Sequence, residues 1–574
     1  MGPPRPVVDR TVGEEHRRGV RIQAEHLTRR VRTGLTVLHD ISLSIEPGEV
    51  VGIVGGSGAG KTTLLEALAG VQAAQAGAVR FDGVEISGSI DAWRRVLGYV
   101  PQDDIIHADL PLARTLRYAA RLRLPSGTSP QAIERAVTEA LRALDLEERA
   151  DVPVGSLSGG QRKRASIAVE LLTDPRVFFL DEPTSGLDPA TGAELLRVLR
   201  GLAARGATIV FTTHAPQDVS ACDRIVFLAK GGHLAFVGTP AEALVYFDVP
   251  SVERVYERLA AEESPEAWAA RFRDRPAAEA GTDPPGPAHP APPVAPRPGA
   301  AAQWWVLTRR TFETLVRNPL TVAILVGSPI MVVAMFTILF RPGAFEPRDP
   351  QPSAILMILF WITFAAFFFG LTYGLLQIVA ERTILRREHL GGVGLGPYLL
   401  SKVAVVLPFL LAVNALMLLV LRTLDRLPAA PLRTYLSVGG TLALLATAAL
   451  ALGLLTSAGV ANPSQATLAL PLLSFPAVLF SGAILPVHIM AGPGKAISLV
   501  IPVRWAFEAV GRALGVRELL MEGGSPLGPP LVASYGDAGL QPMGLYWTIL
   551  AGFILAFLVG ARLLLRRAAS ATTR

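Results

Sequence analysis

Cysteine is nearly absent from this chain of 574 residues, Cys222 being the only one. A lone thiol excludes an intramolecular disulfide and a cysteine-rich metal site. Cys222 itself reads as a small buried apolar residue. Lysine is scarce too, with five residues among 54 basic ones, so a lysine inside a motif carries weight. Long apolar runs are missing before Pro319, which leaves the first half without a membrane-spanning helix. No basic block with interleaved aromatics accompanies the net charge of +6, so nucleic acid is not an expected partner. Many of the arginines instead flank the apolar runs of the second half, where they report membrane topology. The opening "MGPPRPVVDRTVGEEHRRGV" lacks an apolar signal core, and Pro6 breaks the myristoylation pattern that Met1-Gly2 begins. The first half is therefore expected to begin in the cytoplasm.

What the chain does have falls into distinct stretches. After a tail (1–20), residues 21–250 alternate short β-branched runs such as "VVGIVG", "VFFLDEP" and "TIVFTTH" with helical stretches such as "QAIERAVTEALRALDL". That alternation is the pattern of a parallel sheet wrapped by helices. Residues 251–274 read as a helical connector of one or two amphipathic helices, and 275–301 as a Pro/Ala-rich linker too poor in large apolar residues to fold. Residues 302–574 hold six candidate spans, at about 319–340, 354–379, 399–421, 435–458, 466–487 and 545–565. Placing the linker side in the cytoplasm puts Arg309, Arg310, Arg317, Arg382, Arg386, Arg387, Lys402, Arg566 and Arg567 inside. An even number of spans then returns the C-terminus to the same side. Between spans five and six, "KAISLVIPVRWAFEAVGRAL" suits a re-entrant or interfacial helix.

The chemistry starts at "GIVGGSGAGKTTLL", residues 52–65. Gly55, Gly56, Ser57, Gly58, Ala59, Gly60, Lys61, Thr62 and Thr63 follow a strand-like run and open a helix-like one, the context of a phosphate-binding loop. Glycines let successive backbone N–H groups face the phosphates, Lys61 reaches the β and γ phosphates, and Thr62 ligates Mg²⁺. A plain glycine-rich turn is the alternative in a chain with 54 glycines, but a rare lysine in register argues against it. In "RVFFLDEPTSGLD" a hydrophobic strand ends in Asp181-Glu182, which brings one carboxylate to the Mg²⁺ shell and a second to the γ phosphate. Glu182 is the expected general base for an attacking water.

Upstream of that acidic pair, Leu157-Ser158-Gly159-Gly160-Gln161 in "LSGGQRKR" resembles the signature of ATP-binding cassette proteins. Gln102 in "YVPQDD" resembles their Q-loop glutamine, Ser185-Gly186-Leu187-Asp188 their D-loop, and His214 in "VFTTHAP" their switch histidine. A cassette followed by six spans on one polypeptide is similar to the G-type (white/pigment-transporter) half-transporters. The phrases at 110–125 and 231–247 resemble that subfamily, "ERTILRRE" at 381–388 looks like its cytoplasmic coupling segment, and the spans resemble an ABC-2 type membrane domain. The resemblance covers 21–567 and is most specific in the cassette.

It implies an α/β P-loop NTPase cassette followed by an all-α six-span transmembrane domain. It further implies ATP and Mg²⁺ as ligands, with Thr62, Gln102 and Asp181 around the metal and Glu182, His214 and Gln102 as the hydrolytic group. Ser158, Gly159, Gly160, Gln161 and Asp188 would contact ATP held by the phosphate loop of a second cassette. One chain carries one cassette, so a second copy of the chain is the implied partner, along with the lipid bilayer and a hydrophobic or amphipathic substrate. Cassette and both termini would lie on the cytoplasmic side of the cytoplasmic membrane. The absence of cysteine from the external loop before the last span resembles bacterial members. A competing expectation is a mechanotransmitter that uses ATP to regulate an external partner, but the 488–544 segment is short and rich in Gly and Pro.

Two features depart from the pattern. No aromatic precedes Phe81 to stack on adenine, leaving Val31, His26 or the Arg29-Arg30 pair for that task. Intramembrane polar residues are few: Gln377, Glu381, Asn414, Ser457, Asn462 and Gln465, most of them near span ends. The aromatic run "FWITFAAFFFG" (360–370) suits either a lipophilic cavity wall or ordinary helix and lipid packing.

Overall fold

The computed structural model describes residues 19–570 apart from 32–33, 88–89, 95, 103–105, 262–263 and 276–295. Most of the N-terminal tail (1–18) and of the linker (276–295) thus lies outside the described residues. The described residues form two compact units, one drawn from 19–299 with 387–393, the other from 300–386 with 394–569.

Among its described residues the first unit holds ten strands: β1 (Ile22–Arg30), β2 (Thr36–Ile45), β3 (Val50–Val54), β4 (Ala76–Phe81), β5 (Val84–Glu85), β6 (Leu97–Val100), β7 (Val177–Leu180), β8 (Thr208–Thr213), β9 (Arg224–Ala229) and β10 (His233–Gly238). Their order is β5-β4-β1-β2-β10-β9-β3-β8-β7-β6. The runs "VVGIV", "VFFL" and "TIVFTT" are buried along their whole length, as strands covered on both faces must be. They form the parallel core, with Val50 to Val54 of β3 opposite Ile209 to Thr213 of β8, and β7 on the far side of β8.

The sheet is mixed, where a parallel one is expected from the sequence. β1 pairs antiparallel with β2 and β4, β4 with β5, and β9 with β10. The reason is connection length: five residues join β1 to β2 and three join β9 to β10, far too few for the crossover that parallel neighbours need. In the second of these turns Gly231 and Gly232 take φ of 81° and 83°.

The helices that matter for the site are α1 (Lys61–Leu68), α2 (Leu112–Arg123), α3 (Gly159–Leu171) and α4 (Pro189–Ala204). The 251–274 stretch folds as α5 (Val252–Ala261) and α6 (Pro265–Arg273). It packs on the sheet: Trp268 and Phe272 are buried, and α6 lies along β10. Cys222 is buried beside Gly52, whose absent side chain leaves room for the sulfur; a Cβ there would lie 2.7 Å from it. Burial, reinforced by Asp218, pushes the Cys222 thiol up to about 12.

The second unit is helical: α7 (Ala300–Arg317), α8 (Pro319–Leu339), α9 (Pro352–Leu375), α10 (Leu395–Thr423), α11 (Leu432–Gly459), α12 (Pro463–Leu479), α13 (Pro502–Ala513) and α14 (Met543–Ser570), with short helices between. Among the described residues five helices are long and apolar enough to cross a membrane. The region expected as span five holds the 17-residue apolar helix α12, which contains Pro471 and Pro476 and ends before a turn at Gly482 with φ of 83°. α9 and α11 pack most closely. Gly370 and Gly374, four residues apart, face Ala446, Leu450 and Gly453, and a Cβ on Gly374 would lie 2.6 Å from the Leu450 carbonyl oxygen. Such small-residue faces let membrane helices approach backbone to backbone.

Most intramembrane polar residues serve this framework. Ser457 Oγ accepts from the N–H groups of Ile378 and Val379, Glu381 pairs with buried Lys402 at 2.6 Å, and Asn462 caps α12 by accepting from Gln465 N. Asn414 is buried within the unit. Of the aromatic run, Phe360, Phe367 and Phe369 are buried in helix packing.

Candidate functional site

The parallel strands β3, β8 and β7 end side by side, and their C-terminal ends deliver the phosphate loop, Thr212 to His214, and Asp181-Glu182 to one place. The loop wraps from β3 into α1. Gly58 and Gly60 adopt φ of 76° and 87°, a region closed to most side chains, and a Cβ on Gly60 would lie 2.8 Å from the Val37 carbonyl oxygen. Lys61, buried at the start of α1, donates to the carbonyls of Gly55 at 2.9 Å and Gly56 at 3.1 Å, closing the loop on itself. Burial lowers its ammonium from the ordinary lysine value, against the pull of Glu182 and Asp181.

Asp181 is almost fully buried. Its Oδ1 accepts from Thr62 Oγ1 at 3.0 Å and from Thr212 Oγ1 at 2.6 Å. Thr212 thereby joins the two halves of the site, because its hydroxyl also accepts the Glu182 N–H at 2.8 Å. Glu182 sits in the left-handed region at φ 43°, the only glutamate among the described residues to do so. Strain of this kind concentrates at working sites and persists where the surroundings enforce it. Its two carboxylate oxygens are divided: Gln102 Nε2 donates to Oε2 at 3.1 Å, and His214 Nδ1 lies 3.3 Å from Oε1.

The remaining sequence-expected residues form a second cluster in the same unit. Ser158 caps α3, its hydroxyl accepting from Gln161 N while Gln161 Oε1 accepts from Ser158 N, a reciprocal capping box. Asp188 caps α4 by accepting from Thr191 N and Thr191 Oγ1. Gly160 is where the two caps meet, since a Cβ on it would lie 2.3 Å from Thr191 Cγ2. Gly159 lies between Ser158 and Gly160 in the first turn of α3, where unpaired N–H groups and the helix dipole suit an anion.

Several participating residues escape the sequence reading. Thr212 stands inside the quoted "VFTTHAP", but its neighbour His214 draws the attention. Asp218 accepts from both Thr184 and Thr213 at 2.6 Å, tying the segment before the D-loop-like turn to the end of β8. Lys163, buried on α3, donates to the Gln102 carbonyl oxygen. Near the C-terminal end of α3, Glu170 receives Arg123 at 2.7 Å and Arg387 at 2.6 Å. Burial pushes the Glu170 carboxyl up, but the two guanidiniums more than offset this and hold it below its ordinary value.

Of the adenine candidates, Arg29 turns inward toward the Gln72 carbonyl and His26 pairs with Asp40 at 2.7 Å. Val31 and Arg30 stay exposed.

A phosphate loop on the central parallel strand, an acidic pair at the end of β7 and a helix-capping glycine signature define a P-loop nucleotide-binding cassette. Residues 38–185 match the family model described as ABC transporter, and residues 302–513 the one described as ABC-2 type transporter. The chain belongs to the ABC transporters, as an ATP-binding cassette fused to an ABC-2 type membrane domain. It is 31% identical over 489 residues to an ABC transporter ATP-binding/permease protein of Mycobacterium tuberculosis, a match covering 83% of this chain and 55% of that protein. It is 38% identical over 219 and 220 residues to ABC transporter G family members 26 and 22 of Arabidopsis thaliana, matches covering 37% of this chain and 31% and 29% of theirs. The chain thus spans about half the length of the first relative and under a third of the other two.

Proposed function

We propose that this chain is an ATP-hydrolysing half-transporter that works as a homodimer and exports a hydrophobic or amphipathic substrate, such as a lipid or drug, across the cytoplasmic membrane. The observation that carries the reading is the convergence of Lys61, Thr62, Asp181, Glu182, Gln102 and His214 at the ends of four parallel strands, β3, β8, β7 and β6, in a chain whose other unit is apolar helices.

In this reading the phosphate loop binds the triphosphate through its backbone N–H groups, and Lys61 exchanges its carbonyl partners for phosphate oxygens. Glu182 takes a proton from the attacking water, and His214 and Gln102 orient the groups around it. Thr62, Asp181 and the Gln102 amide oxygen are hard oxygen donors that suit Mg²⁺, and two of them already meet at 3.0 Å; the ion would supply charge to neutralise the phosphates. Ser158 to Gln161 and Asp188 contribute to the site of a second copy. With one cassette per chain and every motif intact, two identical chains give two competent sites. Closure of the cassettes on ATP would then move the membrane helices, and hydrolysis would reset them.

The test is ATP hydrolysis by the purified chain in lipid nanodiscs, wild type beside Glu182→Gln, across a panel of lipids and lipophilic drugs. Loss of the general base is expected to cost about 10²–10⁴-fold in rate while ATP binding persists. Stimulation by some compounds, absent in the variant, supports the transporter. Hydrolysis indifferent to every compound favours a mechanotransmitter instead, and a well-folded wild type without hydrolysis removes the homodimer.

A further inference from the structure

We propose that Lys163 is a positioning residue that fixes the pose of Gln102 to that of the α3 signature helix, so that the two ATP sites of the dimer act on each other. The inference rests on the two-chain reading above.

Lys163 is 4% exposed, and its ammonium donates to two successive carbonyls, Gln102 O at 2.5 Å and Pro101 O at 3.4 Å. An ammonium offers three donors on a flexible stem, which suits two neighbouring carbonyls that a planar guanidinium fits less well. Burying such a charge is costly unless it is held, so helix and loop separate only at considerable expense. The loop is equally fixed on its other side: β6 ends at Val100, and the strand packs beneath α3, with a Cβ on Gly98 lying 3.3 Å from Glu170 Cβ.

From that anchored backbone the Gln102 side chain reaches out and donates to Glu182 Oε2 at 3.1 Å. Ser158, the residue that would meet the nucleotide of the other chain, caps the same helix five positions before Lys163. At about 1.5 Å per residue this is a rigid lever of roughly 8 Å. A displacement of the signature by the partner's ATP therefore carries Lys163, the Gln102 backbone and the Gln102 grip on Glu182 with it. Each site's general base is set by the nucleotide at the other.

The experiment is a double-mutant cycle on the full chain in nanodiscs with ATP as the probe: wild type, Lys163→Met, Gln102→Ala and the pair together, with Lys163→Arg beside them. Lys163→Met is expected to lower kcat about 10-fold with the KM for ATP nearly unchanged, because the loss is one of orientation. The Hill coefficient for ATP should fall to one. In the Gln102→Ala background Lys163→Met should cost nothing further, and Lys163→Arg, which keeps a donor, should recover part of the rate.

Equal losses in both backgrounds would mean that Lys163 serves only stability and would overturn the proposal, as would a Lys163→Met protein with wild-type kcat and cooperativity. If Lys163→Met does not fold, Lys163→Gln takes its place in the cycle under the same criteria. A wild type without hydrolysis defeats the two-chain reading itself, whereas a hydrolysing wild type with a Hill coefficient of one overturns the coupling proposed here; both outcomes are distinct from failure of the Lys163 cycle in a cooperative wild type.

Discussion

Gly160 shows how tightly single residues constrain this site. Its missing side chain is what lets the caps of α3 and α4 touch, and the clash that a Cβ would create involves one methyl, Thr191 Cγ2, with the next nearest atom at 3.7 Å. Gly160→Ala should therefore destabilise the cassette by about 1–3 kcal/mol, as overpacking does, and lower hydrolysis by displacing Asp188. Adding Thr191→Ser removes that methyl but keeps the hydroxyl that donates to Asp188. The double variant should regain most of the lost thermal stability and ATPase rate, measured side by side.

At this scale the sequence is most informative where rarity and spacing coincide. Lys61 in a glycine loop and the acidic pair after "VFFL" are legible without coordinates. Lys163 is not, although the same scarcity of lysine applies to it, because the Pro101 and Gln102 carbonyls to which it donates leave no trace in residue identity. Thr212 is hidden for a related reason: its role depends on β8 lying between β3 and β7, which is a fact of topology.

Among the elements, α3 joins the most chemistry in the shortest length. Its first turn carries the signature, its middle holds Gln102, and near its end Glu170 receives Arg123 and Arg387. Removing one member of a buried ion pair leaves charge uncompensated, so Glu170→Gln should cost about 3–5 kcal/mol in a thermal or denaturant unfolding experiment. The pH dependence follows from the same arrangement. The folded-state value of Glu170 is depressed, so its contribution is complete above the ordinary glutamate value of 4.5 and is lost as pH falls through the lower folded value. The wild type should lose stability over that acid range by more than Glu170→Gln does.

The elements also show where sequence patterning runs out. Fully buried runs identify β3, β7 and β8, yet the antiparallel edge depends on turn lengths, which are easily passed over when reading strand–helix alternation. In the apolar half, composition finds the helices but not their ends. α12 stops at Leu479 because of a turn at Gly482, inside a run that remains hydrophobic to Leu485.

For the whole molecule, the proposed pairing of two identical chains is the property to test first. Reconstituting wild type with a large excess of Glu182→Gln should lower the hydrolysis per wild-type chain if the two sites are coupled, since most wild-type chains then have an inactive partner. An unchanged rate per wild-type chain would instead indicate that each chain turns over independently. A change in hydropathy along the sequence accompanies the division into a sheet-based unit and a helical one.

The buried Cys222 has a practical bearing on all of these measurements. A thiol shielded by the sheet and titrating near 12 is almost entirely protonated at neutral pH, and the thiolate is the reactive form. Cys222 is therefore expected to stay silent toward maleimide or spin-label reagents. A single introduced cysteine would then be the reporter in each chain, and in the proposed symmetric pair it would turn any opening or closing between the two copies into one distance.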